Sequence, residues 1–233
     1  MKVITNNKLI NKNIKIGKIT TFSALGILLL GLVITYVRKD QLIWSLVALT
    51  LGFIVSQIGM YYGSRWGRSP RPDEALVAAL KGLDDKYTLY NYTSPIPHLL
   101  IGPAGLIPLI PLYPPGAITY NRNNQRYQQR GGKFIRKISG MDSLGKPDLD
   151  AQSNVSDIKK FLNAQIGTEN YPEPTPVLVF VHPDVTVDLT GAPIPGFKAD
   201  KLKDYIRRLA KSQPAQMEDI EKVKELFVSQ DID

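Results

Sequence analysis

Residues 19–37 read ITTFSALGILLLGLVITYV, and residues 41–63 read QLIWSLVALTLGFIVSQIGMYYG. Neither run contains a charged residue, and only Arg38, Lys39 and Asp40 separate them. A helix that crosses the hydrocarbon core of a bilayer needs about 20 apolar residues. The two runs therefore predict two transmembrane helices, joined by a very short loop into a hairpin.

The positive charge of the chain is concentrated around these two runs. The whole chain of 233 residues carries a formal net charge of +8. Residues 1–63 supply most of it, because they hold seven of the 29 basic residues and only one of the 21 acidic residues. Five lysines precede the first run, three arginines follow the second, and two basic residues lie in the loop. Because basic residues flank the cytoplasmic ends of membrane spans, we predict an integral membrane protein with both termini and the soluble domain in the cytoplasm.

A cleaved signal peptide is the main alternative for the first run. Its 19 uncharged residues are long for the apolar region of a signal peptide, and a second apolar run follows almost at once. No small-residue cleavage site of the Ala-x-Ala kind separates the two runs. These features favour a membrane hairpin that is retained in the mature protein.

Small residues recur along the second run at helical spacing, at Ser45, Ala48, Gly52, Ser56, Gly59 and Gly63. They share one face of a helix, and small residues let another membrane helix approach closely. The favoured interpretation is packing of Gly52, Ser56, Gly59 and Gly63 against the first helix of the same hairpin. The alternative is a homodimer formed through the second transmembrane helix.

Residues 64–233 have the patterns of a soluble α/β domain. Periodic apolar positions predict helices, and runs of β-branched and aromatic residues predict strands. The predicted helices are 73–83, 157–165 (starting as early as 149), 200–211 and 217–228, and the predicted strands are 87–93, 98–101, 106–112, 117–120, 125–128, 176–181 and 185–189. The predicted organisation is a basic N-terminal tail at 1–18, the hairpin at 19–63, a linker at 64–72, an α/β domain at 73–211 and a C-terminal helix at 212–233.

Two stretches of this domain resemble a known family. They are PHLLIGPAG at 97–105, which continues to Gly116, and PVLVFV at 176–181. Together with the order of helices and strands over residues 72–210, they resemble the NERD (nuclease-related) domain, which is similar to the PD-(D/E)xK restriction-endonuclease fold. The resemblance implies an α/β fold in which a mixed sheet is flanked by helices, after the N-terminal transmembrane hairpin.

The resemblance also implies where catalytic residues would lie, and the matching positions carry the wrong side chains. The family's metal-binding Asp falls on Pro97, its Glu on Ile110 and its Lys on Leu112. Glu74 matches the acidic residue of the family's first helix, and a register shifted by one residue would place His98 at the Asp position. Because proline, isoleucine and leucine cannot bind a divalent ion or activate water, we predict a degenerate, non-catalytic relative with no cofactor and no metal.

A basic stretch follows the predicted fourth strand. Residues 120–137 contain six basic residues and no acid: Arg122, Arg126, Arg130, Lys133, Arg136 and Lys137. Such a stretch is suited to contact with anionic lipid headgroups or with a nucleic-acid backbone. The simpler alternative is a solvated hairpin and loop, and tethering to a membrane favours lipid over nucleic acid.

The remaining motifs exclude several classes of chemistry. The chain has no cysteine, which rules out disulfides, thiolate metal sites and cysteine nucleophiles. It has neither a phosphate-binding Gly-Lys-Ser/Thr loop nor a Gly-x-Ser-x-Gly elbow. The sequence therefore predicts a membrane-anchored interaction or scaffold module. The alternatives are a membrane-tethered metal-dependent nuclease with a relocated site, using Glu74 with His98, and a module that binds anionic lipid or nucleic acid.

Overall fold

The computed structural model describes residues 1–131, 143–167 and 171–228. The chain divides into two compact units. One consists of Met1–Thr5 together with Pro72–Asp233, and the other consists of Asn6–Arg71. The first five residues thus belong to the unit that follows the hairpin in sequence, not to the hairpin itself.

The second unit is a pair of long helices. Helix α1 spans Asn7–Val37, a single turn of 3-10 helix spans Lys39–Gln41, and α2 spans Leu42–Trp66. By length and composition both helices are able to cross a membrane. In the 18-residue segment of highest hydropathy, only 11% of the residues of α1 and 17% of those of α2 are buried. The prediction of two long apolar helices is confirmed.

Glycines bring the two helices close together. A Cβ atom added to Gly52 would lie 2.7 Å from Cγ of Leu28, and one added to Gly59 would lie 2.7 Å from Oγ1 and 3.1 Å from the backbone nitrogen of Thr21. The hydroxyl of Ser45 donates to the carbonyl of Gly31 at 3.0 Å. Ser45, Gly52 and Gly59 of α2 thus lie against α1, whereas a Cβ atom added to Gly63 would have no neighbour within 4 Å.

The start of the chain differs from the expected basic tail at 1–18. Residues Lys2–Thr5 form strand β1, and α1 begins at Asn7, where the Asn6 side chain caps the helix by accepting a hydrogen bond from the Leu9 amide at 2.8 Å. Val3, Ile4 and Thr5 are β-branched, which favours a strand. A strand of four residues that is followed by a polar segment is too short to be predicted from its sequence pattern.

The first unit is built on a six-stranded mixed sheet. The strands after β1 are β2 (Thr88–Asn91), β3 (His98–Gly102), β4 (Gly105–Leu112), β7 (Val177–Phe180) and β9 (Gly196–Lys198). Their order across the sheet is β1-β2-β3-β4-β7-β9. Strand β3 runs antiparallel to both neighbours, and the other three pairings are parallel.

Helices cover both faces of this sheet. Helices α3 (Pro72–Ala79) and α5 (Ala199–Ser212) lie on the first face, where their leucines and isoleucines bury Leu89, Leu100 and Val177. Helices α4 (Pro147–Ile166) and α6 (Met217–Val228) lie on the second face. The alternation of side chains along each strand sends its apolar residues into both layers.

A second sheet of three strands packs against the far end of the second face. It consists of β5 (Gly116–Asn121), β6 (Arg126–Arg130) and β8 (Val185–Asp188), in the order β6-β5-β8. Ile118 and Val185 from this small sheet form one apolar cluster with Ile110, Leu178 and Phe180 of the large sheet. We call this group the third cluster.

The mixed α/β class and most of the predicted strands agree with the structure. Two strands that the sequence patterns did not indicate, β1 and β9, form the two edges of the large sheet. The helix expected at 157–165 is longer and spans Pro147–Ile166, whereas the helix expected at 73–83 is shorter and ends at Ala79. A proline at the start of α4 and acids in its first turn explain the earlier start.

Replacing Gly59 by Leu is expected to force the two hairpin helices apart. The same replacement at Gly63 is the matched control, because a Cβ atom there has no neighbour within 4 Å. Overpacking costs about 1–3 kcal/mol, while the gain in helix propensity, about 1 kcal/mol, is common to both variants. Thermal unfolding of the full-length protein in detergent should therefore give a lower melting temperature for Gly59→Leu. Equal melting temperatures would contradict the close approach at Gly59.

Candidate functional site

The positions that match the family's catalytic residues lie together at one end of the large sheet. Leu99 of β3 lies opposite Pro108 of β4, and this register, continued by two residues, brings Pro97 opposite Ile110. Ile110 is only 6% exposed and belongs to the third cluster, against which Leu112 also packs. The strand register thus brings the three matched positions to one region, and the surroundings of Ile110 and Leu112 are apolar.

His98 lies on the other face of the sheet from Ile110. It is 3% exposed and follows the alternation of Leu100, which packs in the first-face core. Its Nδ1 lies 2.9 Å from Oδ1 of Asn91, and its ring stands edge-on to Tyr92 with the ring centroids 4.9 Å apart. A shifted register therefore does not bring the imidazole to the side of the sheet where Ile110 and Leu112 lie.

A row of polar side chains connects His98 to the first strand. The fully buried Asn91 donates from Nδ2 to the hydroxyl of Thr5 at 3.2 Å, and its Oδ1 faces His98. The strand pairings place Thr5 beside Asn91 and Asn91 beside His98. Because Asn91 uses its oxygen and its amine in different directions, it links three strands through side chains alone. Sequence patterns missed this row since β1 was not predicted.

Glu74 occupies a different environment from His98. It lies in the first turn of α3 and is exposed. It borders a cavity of about 550 Å³ that is also lined by Asp73, Val77 and Lys81. Within residues 1–131, 143–167 and 171–228, no three histidine or acidic side chains come together in an arrangement able to hold a metal ion. A relocated metal centre that uses Glu74 with His98 therefore has no third ligand among these residues.

The basic stretch is only partly described. Lys133, Arg136 and Lys137 lie outside the described residues, while Arg122 follows β5 and the remaining two arginines lie at the ends of β6. Nε of Arg122 donates to the carbonyl of Thr190 at 3.3 Å. Hydrogen bonds from the hydroxyl and amide of Thr190, together with the nearby Arg122, hold the pKa of Asp188 below its usual value. Arg122 thus joins the end of β5 to the turn after β8, and it stays exposed.

Arg122, Arg126 and Arg130, the three basic residues of this stretch that the structure describes, are all exposed. Arg126 and Arg130 lie at the two ends of β6. Between them, Tyr127 points the other way, since its hydroxyl donates to the carbonyl of Ile194 at 3.3 Å and burial raises its pKa. The alternation along β6 therefore places both arginines on the outer face of the small sheet. Nucleic-acid binding relies on many phosphate contacts, and the described part of this stretch supplies three exposed arginines.

Replacing Asn91 by Ala is expected to lower the free energy of unfolding by about 1–3 kcal/mol, because it removes the buried amide that bonds to both Thr5 and His98. Hydrogen exchange should also accelerate in β1 more than in β4. Asn123→Ala is the control, since Asn123 is exposed in the β5–β6 turn, and substitutions of this kind change stability by less than about 0.5 kcal/mol. Unchanged exchange in β1 would show that the row does not hold the strand.

Restoring the family's carboxylate by Ile110→Glu is expected to destabilise the protein by more than about 2 kcal/mol, because the charge would be buried without a partner. Gln128→Glu on the outer face of β6 is the control, with a change below about 0.5 kcal/mol.

The wild-type chain should cleave neither DNA nor RNA with Mg²⁺ or Mn²⁺. Cleavage by the wild type that is lost in Glu74→Ala would overturn the prediction of a non-catalytic domain.

Comparison with known proteins identifies no relative of this chain. No family model, no curated protein and no solved structure matches it. The resemblance to the NERD family therefore stays a prediction, and every inference about function depends on the sequence and geometry of this chain.

Proposed function

We propose that the protein is an integral membrane protein whose helical hairpin anchors a cytoplasmic α/β interaction module. The observation that carries this proposal is the surface of the hairpin. Large apolar side chains project from it on several sides, for example Phe22 (70% exposed), Leu30 (63%) and Ile43 (75%). Soluble proteins rarely expose contiguous apolar patches above a few hundred Å². A hydrocarbon environment removes this cost.

The position of β1 supports a hairpin with both ends on one side of the membrane. Strand β1 immediately precedes α1, helix α3 follows α2 through a short linker, and both belong to the same compact unit. A single folded unit cannot be divided by a bilayer, so a chain that leaves it through α1 must return through α2. The paired crossing also argues against cleavage after α1, which would remove an edge strand.

The charges near the start of α1 support a cytoplasmic orientation. The helix has 31 residues, which correspond to about 46 Å, whereas the hydrocarbon core is about 30 Å thick. Four exposed lysines, at 8, 12, 15 and 18, occupy the turns before the apolar run. These turns extend beyond the hydrocarbon on the same side as the α/β unit, where their charges meet anionic headgroups.

For the module we propose a restriction-endonuclease-like fold that has lost its metal chemistry. The sheet order β2-β3-β4-β7-β9, with helices before β2, between β4 and β7, and after β9, supports the resemblance. The apolar residues at the matched catalytic positions support a non-catalytic role in binding or scaffolding. The contacts of Gly52 and Gly59 with α1 favour packing within one chain over a homodimer through these two residues.

The absence of native cysteine allows a direct test of the topology. Asp40→Cys places one thiol in the hairpin turn, and Lys211→Cys places one on exposed α5. In intact cells, a membrane-impermeant maleimide should label Asp40→Cys at once and Lys211→Cys only after permeabilisation. The protein should also sediment with membranes and resist extraction by salt. Recovery of the full-length chain in the aqueous supernatant, or labelling of both thiols in intact cells, would overturn the proposal.

A further inference from the structure

A cavity in the α/β unit is separate from every position that the sequence singled out. It has a volume of about 530 Å³ and lies between α4 and the segments that precede β7 and β9. Its apolar lining consists of Ala151, Val155, Pro176, Pro193 and Ile194. Cavities of about 300–1,000 Å³ with mainly apolar walls are typical of small-molecule sites.

The wall opposite α4 is held in place by hydrogen bonds and prolines. The carbonyl of Ile194 accepts from the Tyr127 hydroxyl at 3.3 Å, and the carbonyl of Pro195 accepts from the Leu178 amide at 2.9 Å. Pro176 and Pro193 restrict the backbone on either side. A ligand would therefore meet a wall that is already formed, which lowers the entropic cost of binding.

Hydrogen-bond donors gather at one end of the cavity. The ammonium of Lys159 is paired with Glu173 at 2.5 Å, whereas Lys160 has no ion-pair partner in the described part of the chain. The Tyr171 hydroxyl donates to Oδ1 of Asn163 at 2.5 Å, which leaves the amine of Asn163 as a donor. This end thus offers one uncompensated positive charge and a neutral donor one turn away.

The other end of the cavity has the opposite charge. Asp148 lies in the first turn of α4, twelve residues before Lys160, a distance of about 18 Å along a helix. An anionic group is repelled from Asp148 and attracted to Lys160. Ala151 and Val155 lie between the two charges along the helix, with the uncharged Gln152 and Ser156 beside them. The cavity therefore favours an elongated ligand with one negative end and an apolar body.

We propose that this cavity binds a fatty acid of medium chain length. The carboxylate accepts hydrogen bonds from Lys160 and Asn163, and the acyl chain lies between α4 and the Pro176, Pro193 and Ile194 wall. A cationic amphiphile is repelled by Lys160, and an uncharged one leaves the donors unpaired. This site is part of the α/β unit alone, so the proposal stands or falls independently of the membrane orientation of the hairpin.

Binding is tested with radiolabelled decanoate and the full-length protein in lipid nanodiscs. Empty nanodiscs measure the partition of decanoate into lipid, which is subtracted. We expect one saturable site per chain, whose affinity falls at least about tenfold for decanol and disappears for decylamine, the scale expected when a charge-assisted hydrogen bond is lost. Absence of a saturable component would overturn the proposal.

Two variants and a control locate the site. Lys160→Glu should weaken decanoate binding by about tenfold or more, and Val155→Trp should abolish it by filling the cavity. Lys201→Glu on exposed α5 makes the same change of charge away from the cavity and should leave the affinity unchanged. The melting temperature of each variant is compared with that of the wild type. Loss of binding is interpreted only for variants that are shown in this way to be folded.

The remaining outcomes decide against a fatty acid. Equal affinities of wild type, Lys160→Glu and Val155→Trp would place the bound decanoate elsewhere on the protein and overturn the proposal. A change in oligomeric state caused by Val155→Trp, without saturable decanoate binding in the wild type, would assign the cavity to a second copy of the chain and would equally overturn it.

Discussion

The parallel pairing of β1 with β2 is the constraint on which the arrangement of this protein depends. Four consecutive pairs, from Lys2 with Thr88 to Thr5 with Asn91, join the first residues of the chain to a strand that follows the hairpin. The chain between these two strands, which includes the helical hairpin, therefore leaves the sheet and returns to it. A hairpin of two apolar helices satisfies this condition, whereas a single membrane crossing does not. The proposed topology is therefore supported by backbone hydrogen bonds as well as by charge.

The two units are stabilised by different physical effects. In the α/β unit, apolar side chains from both sheet faces are removed from water, which is the dominant favourable contribution to folding. Within a bilayer that contribution is absent between helices, because lipid chains are as apolar as leucine. In the proposed bilayer setting the hairpin depends instead on close packing, which agrees with the glycines at its contacts with Leu28 and Thr21. The Ser45 hydroxyl adds a hydrogen bond where water is excluded.

Long and regular features were predictable from the sequence, while short and non-local ones were not. The apolar core of the hairpin and the buried strand at 177–180 extend over enough residues to show their periodicity. Strands β1 and β9 have four and three residues, too few for a pattern, and pairing with a neighbouring strand defines them. The row from Thr5 to His98 depends on β1 and was hidden with it. The cavity is lined by residues that are distant in sequence, such as Val155 and Ile194, so no local sequence pattern predicts it.

The same reasoning explains why the matched catalytic positions are apolar. Ile110 packs against Ile118 and Val185, so the small sheet covers the end of β4 where a metal centre of the family would lie. A glutamate and a lysine there would lose their hydration, and the cost would exceed what a single pair returns unless further partners were supplied. Docking of the small sheet and retention of a hydrated metal site therefore exclude each other. With isoleucine and leucine at these positions, the third cluster is a continuous apolar core where the metal centre of the proposed fold would need an open, polar cleft.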